Sequence, residues 1–450
     1  MSISSLRRHV LLILVSSVAF EACSSGKGGG SGSGGSAATA GSGGSGGGGG
    51  SGAGAGGGGS GGSAAAAGSG GSGGTDAGAG GGGSGGSAGN ASDAGAQSPV
   101  PSQVGMTCDT TPRLAFPTIV TPNAVYLVEG IATVGSGFLS TTMMIGRAAS
   151  GSLDPATCTL TSGVTVPVAE VGMSVATVAS SVYLIGGSTG LPTALTGTQN
   201  AVYRAEITNG SLTPFSVATL SGGATPVVLQ TSRYAAEVVQ VQNYVYIIGG
   251  WSSVNETNVA SIERAQVDLA TGNFVTNFAP AMDPKTGNPA TLVVPRAYSV
   301  AVHLGSWIYV LGGTTQTADQ PVPVSGPACQ NEIQRASLDA TGNLSSFSQV
   351  GTLPSGLCSA ASYVSGNTMY VLGGLTDFNL TTGAATSTDA VLTAAIAADG
   401  TLGDFTASSV KLSYPVGSAG EAVIGKTVYL FNGNKGGTGA TTSIQAVTFP

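Results

Sequence analysis

Charge is what this chain has least of. Only 8% of its 450 residues are Asp, Glu, Lys or Arg, against about 25% in a typical domain. The formal net charge is −7, which excludes the basic footprint that nucleic-acid binding needs. Histidine is scarcer still: His9 and His303 are the only two. One imidazole in the body of the chain cannot build a zinc site, a Ser-His-Asp triad or a multi-imidazole copper centre. No CxxC spacing occurs and no pair of carboxylates stands out by spacing. The expectation is therefore of no metal, no cofactor and no redox or hydrolytic chemistry. Long apolar runs are missing too. The longest near the N-terminus, residues 10–20, is short of the ~20 residues that cross a bilayer as a helix.

That short run defines the first segment. Arg7 and Arg8 precede it and Phe20-Glu21-Ala22-Cys23 follows, the layout of a secretory signal over residues 1–22. The small residue followed by cysteine resembles a bacterial lipobox, which implies lipidation of Cys23 and anchoring in the cell envelope, at the outer membrane; the alternative is plain secretion. Residues 23–97 are almost wholly Gly, Ser and Ala. Such a composition has no side chains to offset the entropy of ordering, so a disordered tether is expected. As a flexible coil it would set its ends roughly 45–50 Å apart.

The rest of the chain repeats. Val125-Tyr126-Leu127-Val128-Glu129-Gly130 recurs as VYLIGG from Val182, VYIIGG from Val245, IYVLGG from Ile308, MYVLGG from Met369 and VYLFNG from Val428. The tyrosines stand at 126, 183, 246, 309, 370 and 429. A fixed period of this size indicates an array of equal units. Continuous apolar runs suit strands buried on both faces, and the glycines permit a tight turn and close backbone approach. Arg113, Arg233 and Arg296 recur before one strand, and Arg204, Arg264 and Arg335 recur in another, with Arg147 placed in the same slot. Turns of the form Gly210-Ser211-Leu212, Gly342-Asn343-Leu344 and Gly400-Thr401-Leu402 then lead into a fourth strand. Each unit thus has four strands, a to d.

These motifs resemble those of a kelch-type β-propeller, similar to the kelch-like domains of galactose oxidase and its relatives, over roughly residues 98–450. The resemblance implies an all-β fold of six four-stranded blades. Two copies depart from it, with Glu129 and Asn432 in place of a glycine. The last copy ends at its strand c, and Ser102-Gln103-Val104-Gly105 reads like Ser348-Gln349-Val350-Gly351. Residues 99–106 are therefore expected to complete blade six and close the ring.

Five cysteines remain to be placed. With Cys23 lipidated, an even four are left in an oxidising compartment. In a four-stranded blade Cys329 and Cys358 fall at one face and can pair, which leaves Cys108 for Cys158. The periodic arginines read as architectural forks; the alternative is that Arg113, Arg233 and Arg296 ring one mouth of the channel and bind an anion. Loops are the other place to look. The b-to-c and d-to-a loops emerge on one face, and those of blades three to five carry Trp251, Asn255, Asp319, Asp377 and Asn379. The expected function is a surface-tethered, monomeric, non-catalytic module that recognises a protein or glycan at the cell surface. The alternatives are a carbohydrate-active enzyme or lyase, and a structural envelope lipoprotein.

Overall fold

The computed structural model describes residues 98–132, 137–190, 197–254, 257–315, 328–379, 384–437 and 439–450. The signal, Cys23 and the Gly/Ser/Ala segment lie outside them, as do Asn255 and Asp319. The described residues form six antiparallel four-stranded sheets arranged in a ring, a six-bladed β-propeller. In blade three, strand a is Glu237–Val241, b is Tyr244–Ile248, c is Ile262–Gln266 and d is Ala279–Pro280. The other blades repeat that order. Strands a of neighbouring blades lie side by side around the axis, and strands d form the outside.

Strand b explains the repeated string. In Ser181–Ile185 every residue is buried, and in Tyr244–Ile248 all but the first are. Each blade face packs on the next blade, so six apolar clusters alternate with the sheets; one joins Tyr183, Ile185 and Val202 of blade two to Val245, Ile247 and Phe274 of blade three.

The glycine pair has a specific cause. A Cβ on its first member would collide with a carbonyl of the next blade: Arg233 for Gly186, Arg296 for Gly249, Leu357 for Gly312 and Val416 for Gly373. The second member donates its N–H to that same carbonyl, at 2.9, 2.9, 2.8 and 2.8 Å for Gly187, Gly250, Gly313 and Gly374. Where Asn432 replaces the first glycine, the corresponding bond from Gly433 to Arg113 is longer, 3.3 Å. Where Glu129 replaces it, the carboxylate Oε2 accepts the N–H of Glu170 instead, at 3.2 Å.

The repeated tyrosine reaches the turn between strands c and d of the following blade. Tyr183 donates to Gly272 O at 2.6 Å, Tyr309 to Gly400 O at 3.2 Å, and Tyr246 to Gly342 O. Tyr126 and Tyr429 accept from Leu212 N and Leu153 N. Blade six has no such turn, because its strand d comes from the other end of the chain. Tyr370, the sixth tyrosine, packs on Phe449 there, with ring centroids 4.6 Å apart.

Closure follows the sequence expectation. Val100–Met106 pairs antiparallel with Ser443–Thr448, Gln103 opposite Gln445, as the outer strand of blade six. It covers an edge that would otherwise be open. Cys108–Cys158 then ties this strand to the outer part of blade one, and Cys329–Cys358 joins blades four and five. Both pairings match those expected. One placement is corrected: Arg147 is not in the slot of Arg204, Arg264 and Arg335. Met144 stands opposite Tyr126, where those arginines stand opposite Tyr183, Tyr246 and Tyr309.

Candidate functional site

Each strand a is preceded by one residue in the left-handed region: Ala115, Gly172, Ala235, Tyr298, Ser359 and Ser418, with φ from 47° to 62°. Five of the six are not glycine, and for such residues this region costs roughly 1–2 kcal/mol each. The conformation turns their backbones toward one another. The N–H of Gly172 donates to Ala115 O, Ala235 to Gly172, Tyr298 to Ala235, Ser359 to Tyr298 and Ser418 to Ser359, at 2.8–3.1 Å. A head-to-tail chain of backbone hydrogen bonds thus passes from blade to blade around one mouth of the channel.

Inside this rim lies a cavity of about 290 Å³ bounded by all six blades. It opens on the face of the d-to-a and b-to-c loops, the face expected from the sequence. Apolar residues make up most of the wall. Five side chains give it chemistry: Tyr298 and Phe378 on the blade-four and blade-five side, Phe116 of blade one, and Glu237 and Glu421 on strands a of blades three and six.

The two glutamates stand on opposite blades but lean over the same half of the channel. The Glu237 carboxylate accepts a backbone hydrogen bond from Ala301 of blade four. Glu421 Oε2 accepts from Ser362 N of blade five at 3.2 Å. Blades four and five are adjacent, so the carboxyl groups converge. Desolvation, added to the charge of Glu421 in the case of Glu237, raises both pKa values to about 8. Glu421 Oε1 is out of reach of solvent and has no hydrogen-bond partner.

The aromatic side is a connected set. Tyr298 donates its hydroxyl to Tyr234 at 2.7 Å, which stacks edge-on against Trp251; Phe378 meets Tyr298 edge-on at 6.1 Å between centroids. Burial pushes the pKa of the Tyr298 hydroxyl up to about 12. The Cys329–Cys358 bridge and Leu375 pack under Tyr298 and Phe378 and fix them in place.

The sequence candidates fall in different places. Trp251 is only 2% exposed and supports the aromatic set from below. Asp377 is exposed on the rim, its Oδ1 accepting the Phe378 N–H at 2.9 Å. Asn379, half-buried, closes the same hairpin through its backbone N–H to Ala384 O. Arg113, Arg233 and Arg296 do not line the mouth. They are 0, 1 and 0% exposed. Each reaches instead the end of its own strand b, donating to the carbonyl of Glu129, Gly249 or Gly312 at 2.8, 2.9 and 2.6 Å. Asp109, Glu263 and Glu332 supply their carboxylate partners.

In blade two the arginine slot holds Glu170, which faces Glu129 across the blade-one interface. Desolvation raises the pKa of each to about 7. Tyr203 donates to Glu170 Oε1 at 2.9 Å.

Sequence reasoning missed Tyr298, Phe378, Glu237 and Glu421. The available signal was that strands a are otherwise short, small and uncharged, and only those of blades three and six carry a carboxylate. Among the described residues, no group of three or more His, Cys, Asp or Glu could hold a metal ion. No protein-family model and no curated protein matches this sequence.

Proposed function

We propose that the chain is a kelch-type binding module, non-catalytic and monomeric, tethered to a bacterial cell envelope by lipidation of Cys23, and that it recognises a glycan at the channel mouth. One observation carries the reading: a cavity lined by all six blades sets three aromatic rings, Phe116, Tyr298 and Phe378, beside two carboxyl groups. Rings supply the flat apolar platform for a sugar face, and carboxyl oxygens accept its hydroxyls. At about 290 Å³ the cavity sits at the small end of ligand pockets, roughly 300–1,000 Å³, which suits a terminal sugar better than a protein surface.

The test is a glycan array probed with the full chain and with Tyr298→Ala and Phe378→Ala. Both variants are expected to lose at least tenfold in retention of any glycan the wild type holds. An array that retains nothing, or retains wild type and variants alike, contradicts the reading. For the tether, Cys23→Ser is expected to move the protein from the membrane to the soluble fraction.

The carboxyl pair also favours a second reading. Acids held protonated near neutrality are suited to general acid chemistry, as in a glycosidase or lyase. Turnover of chromogenic glycosides that disappears in Glu237→Gln or Glu421→Gln would favour the enzyme.

A further inference from the structure

We infer that the mouth takes an amino sugar with a free ammonium group, seated between Glu237 and Glu421 with its apolar face against Tyr298 and Phe378. The inference rests on the channel-mouth reading and narrows it by charge. Among the described residues that line the cavity, Glu237, Glu421 and Tyr298 are the only ionisable ones; none is Lys, Arg or His. An anionic sugar would meet two carboxyl groups and no compensating cation. A neutral sugar could offer a hydroxyl to Glu421 Oε1, which has no partner of its own, but would leave the charge of any ionised carboxylate uncompensated. An ammonium group supplies three donors at once and compensates the charge of both carboxyl groups when they ionise.

The geometry suits one cation. Glu237 is held by Ala301 and Glu421 by Ser362, on adjacent blades, so both carboxyl groups border the side where Tyr298 and Phe378 stand. Ring faces attract cations within about 6 Å. A positive charge between the carboxyl groups favours their ionised form. Binding near pH 7 is thus expected to release protons, because desolvation raises the pKa of both groups to about 8 in the free protein.

The test is calorimetry at pH 7 on the full chain with glucosamine tetrasaccharide, its N-acetylated counterpart, a plain glucose tetrasaccharide and putrescine, in buffers of different ionisation enthalpy. The expected result is at least tenfold tighter binding of the glucosamine tetramer than of either other sugar, with proton release. Glu237→Gln and Glu421→Gln are each expected to erase that preference. Both replace a half-buried, desolvated acid by a neutral isostere, so melting temperatures at or above wild type will show that the fold is intact. Putrescine binding as tightly as the tetramer would overturn the sugar assignment. Equal binding of the N-acetylated tetramer, a preference that survives in both variants, or no binding by any probe would overturn the inference. If neutral tetramers bind and Tyr298→Ala abolishes this, the channel-mouth reading stands while the ammonium inference falls.

Discussion

At the scale of single residues, positions that look alike in the sequence do different work according to what the next blade offers. Five repeat tyrosines reach a c-to-d turn, and Tyr370 meets Phe449 instead. Tyr246→Phe removes a buried hydrogen bond and is expected to cost about 1 kcal/mol, read by denaturant melts. Tyr370→Phe is expected to cost about half that or less, and equal losses would show that the turn contact is not the reason for the tyrosine. The buried pair Glu129 and Glu170 gives a second expectation. Their pKa values are raised to about 7 in the fold from an ordinary 4.5, and those of Glu237 and Glu421 to about 8. The native state therefore holds more protons than the unfolded chain between about pH 4.5 and 8. Stability must fall as pH rises through that window, a tenfold difference in proton affinity between the two states being worth about 1.4 kcal/mol. Melting temperature is expected to be several degrees higher at pH 5 than at pH 8.5, with a smaller difference in Glu129→Gln/Glu170→Gln. The lowered pKa values of Asp268, Asp283, Asp339 and Asp399 act below 3.8 and leave this window untouched, while His303, its pKa lowered from 6.5 by burial, opposes the trend below about pH 6.5 as one group against four. A melting temperature that rises with pH would refute the burial argument.

At the scale of elements, the strand that closes the ring belongs to the N-terminal end of the folded part, and one disulfide holds its exit. Cys108–Cys158 spans 50 residues, a loop whose closure entropy is worth about 4 kcal/mol in the chain-entropy account. Cys108→Ala/Cys158→Ala is expected to lower stability by up to that amount while leaving the ring closed. Deleting residues 98–107 is expected to be worse in kind, exposing the edge of Ser443–Thr448 and producing association through it, visible by light scattering. A deletion variant that stays monomeric with wild-type stability would mean that this strand is dispensable. The likeness of Ser102–Gly105 to Ser348–Gly351 made the closure legible, because the same outer-strand environment selects the same residues. The wrong slot for Arg147 has the opposite cause. Arg147 lies three residues past Met144 on the same strand path, and an arginine next to a turn looks alike in either register.

At the scale of the whole molecule, six-fold repetition made the scaffold legible and concealed the site. Periodic residues are what a sequence shows most clearly, and here the periodic Arg113, Arg233 and Arg296 are buried struts. The site is made by the exceptions, Glu237, Glu421, Tyr298 and Phe378, which come from four blades and meet only because the ring closes. No spacing along the chain announces such a convergence. Trp251, a contact residue by its place in the sequence, lies instead beneath the aromatic set, 6.0 Å from Tyr234 between ring centroids, and this makes it a reporter. The other tryptophan, Trp307, begins strand b of blade four, at the opposite end from the mouth, under the Arg335 guanidinium at 4.0 Å. The most direct test of the channel-mouth site is therefore a fluorescence titration of Trp307→Phe and Trp251→Phe with the glycan best retained on the array. The account expects a saturable change in Trp307→Phe, where Trp251 alone emits, and none in Trp251→Phe. A saturable signal carried by Trp307 alone would place the ligand at the other end of the channel and contradict it.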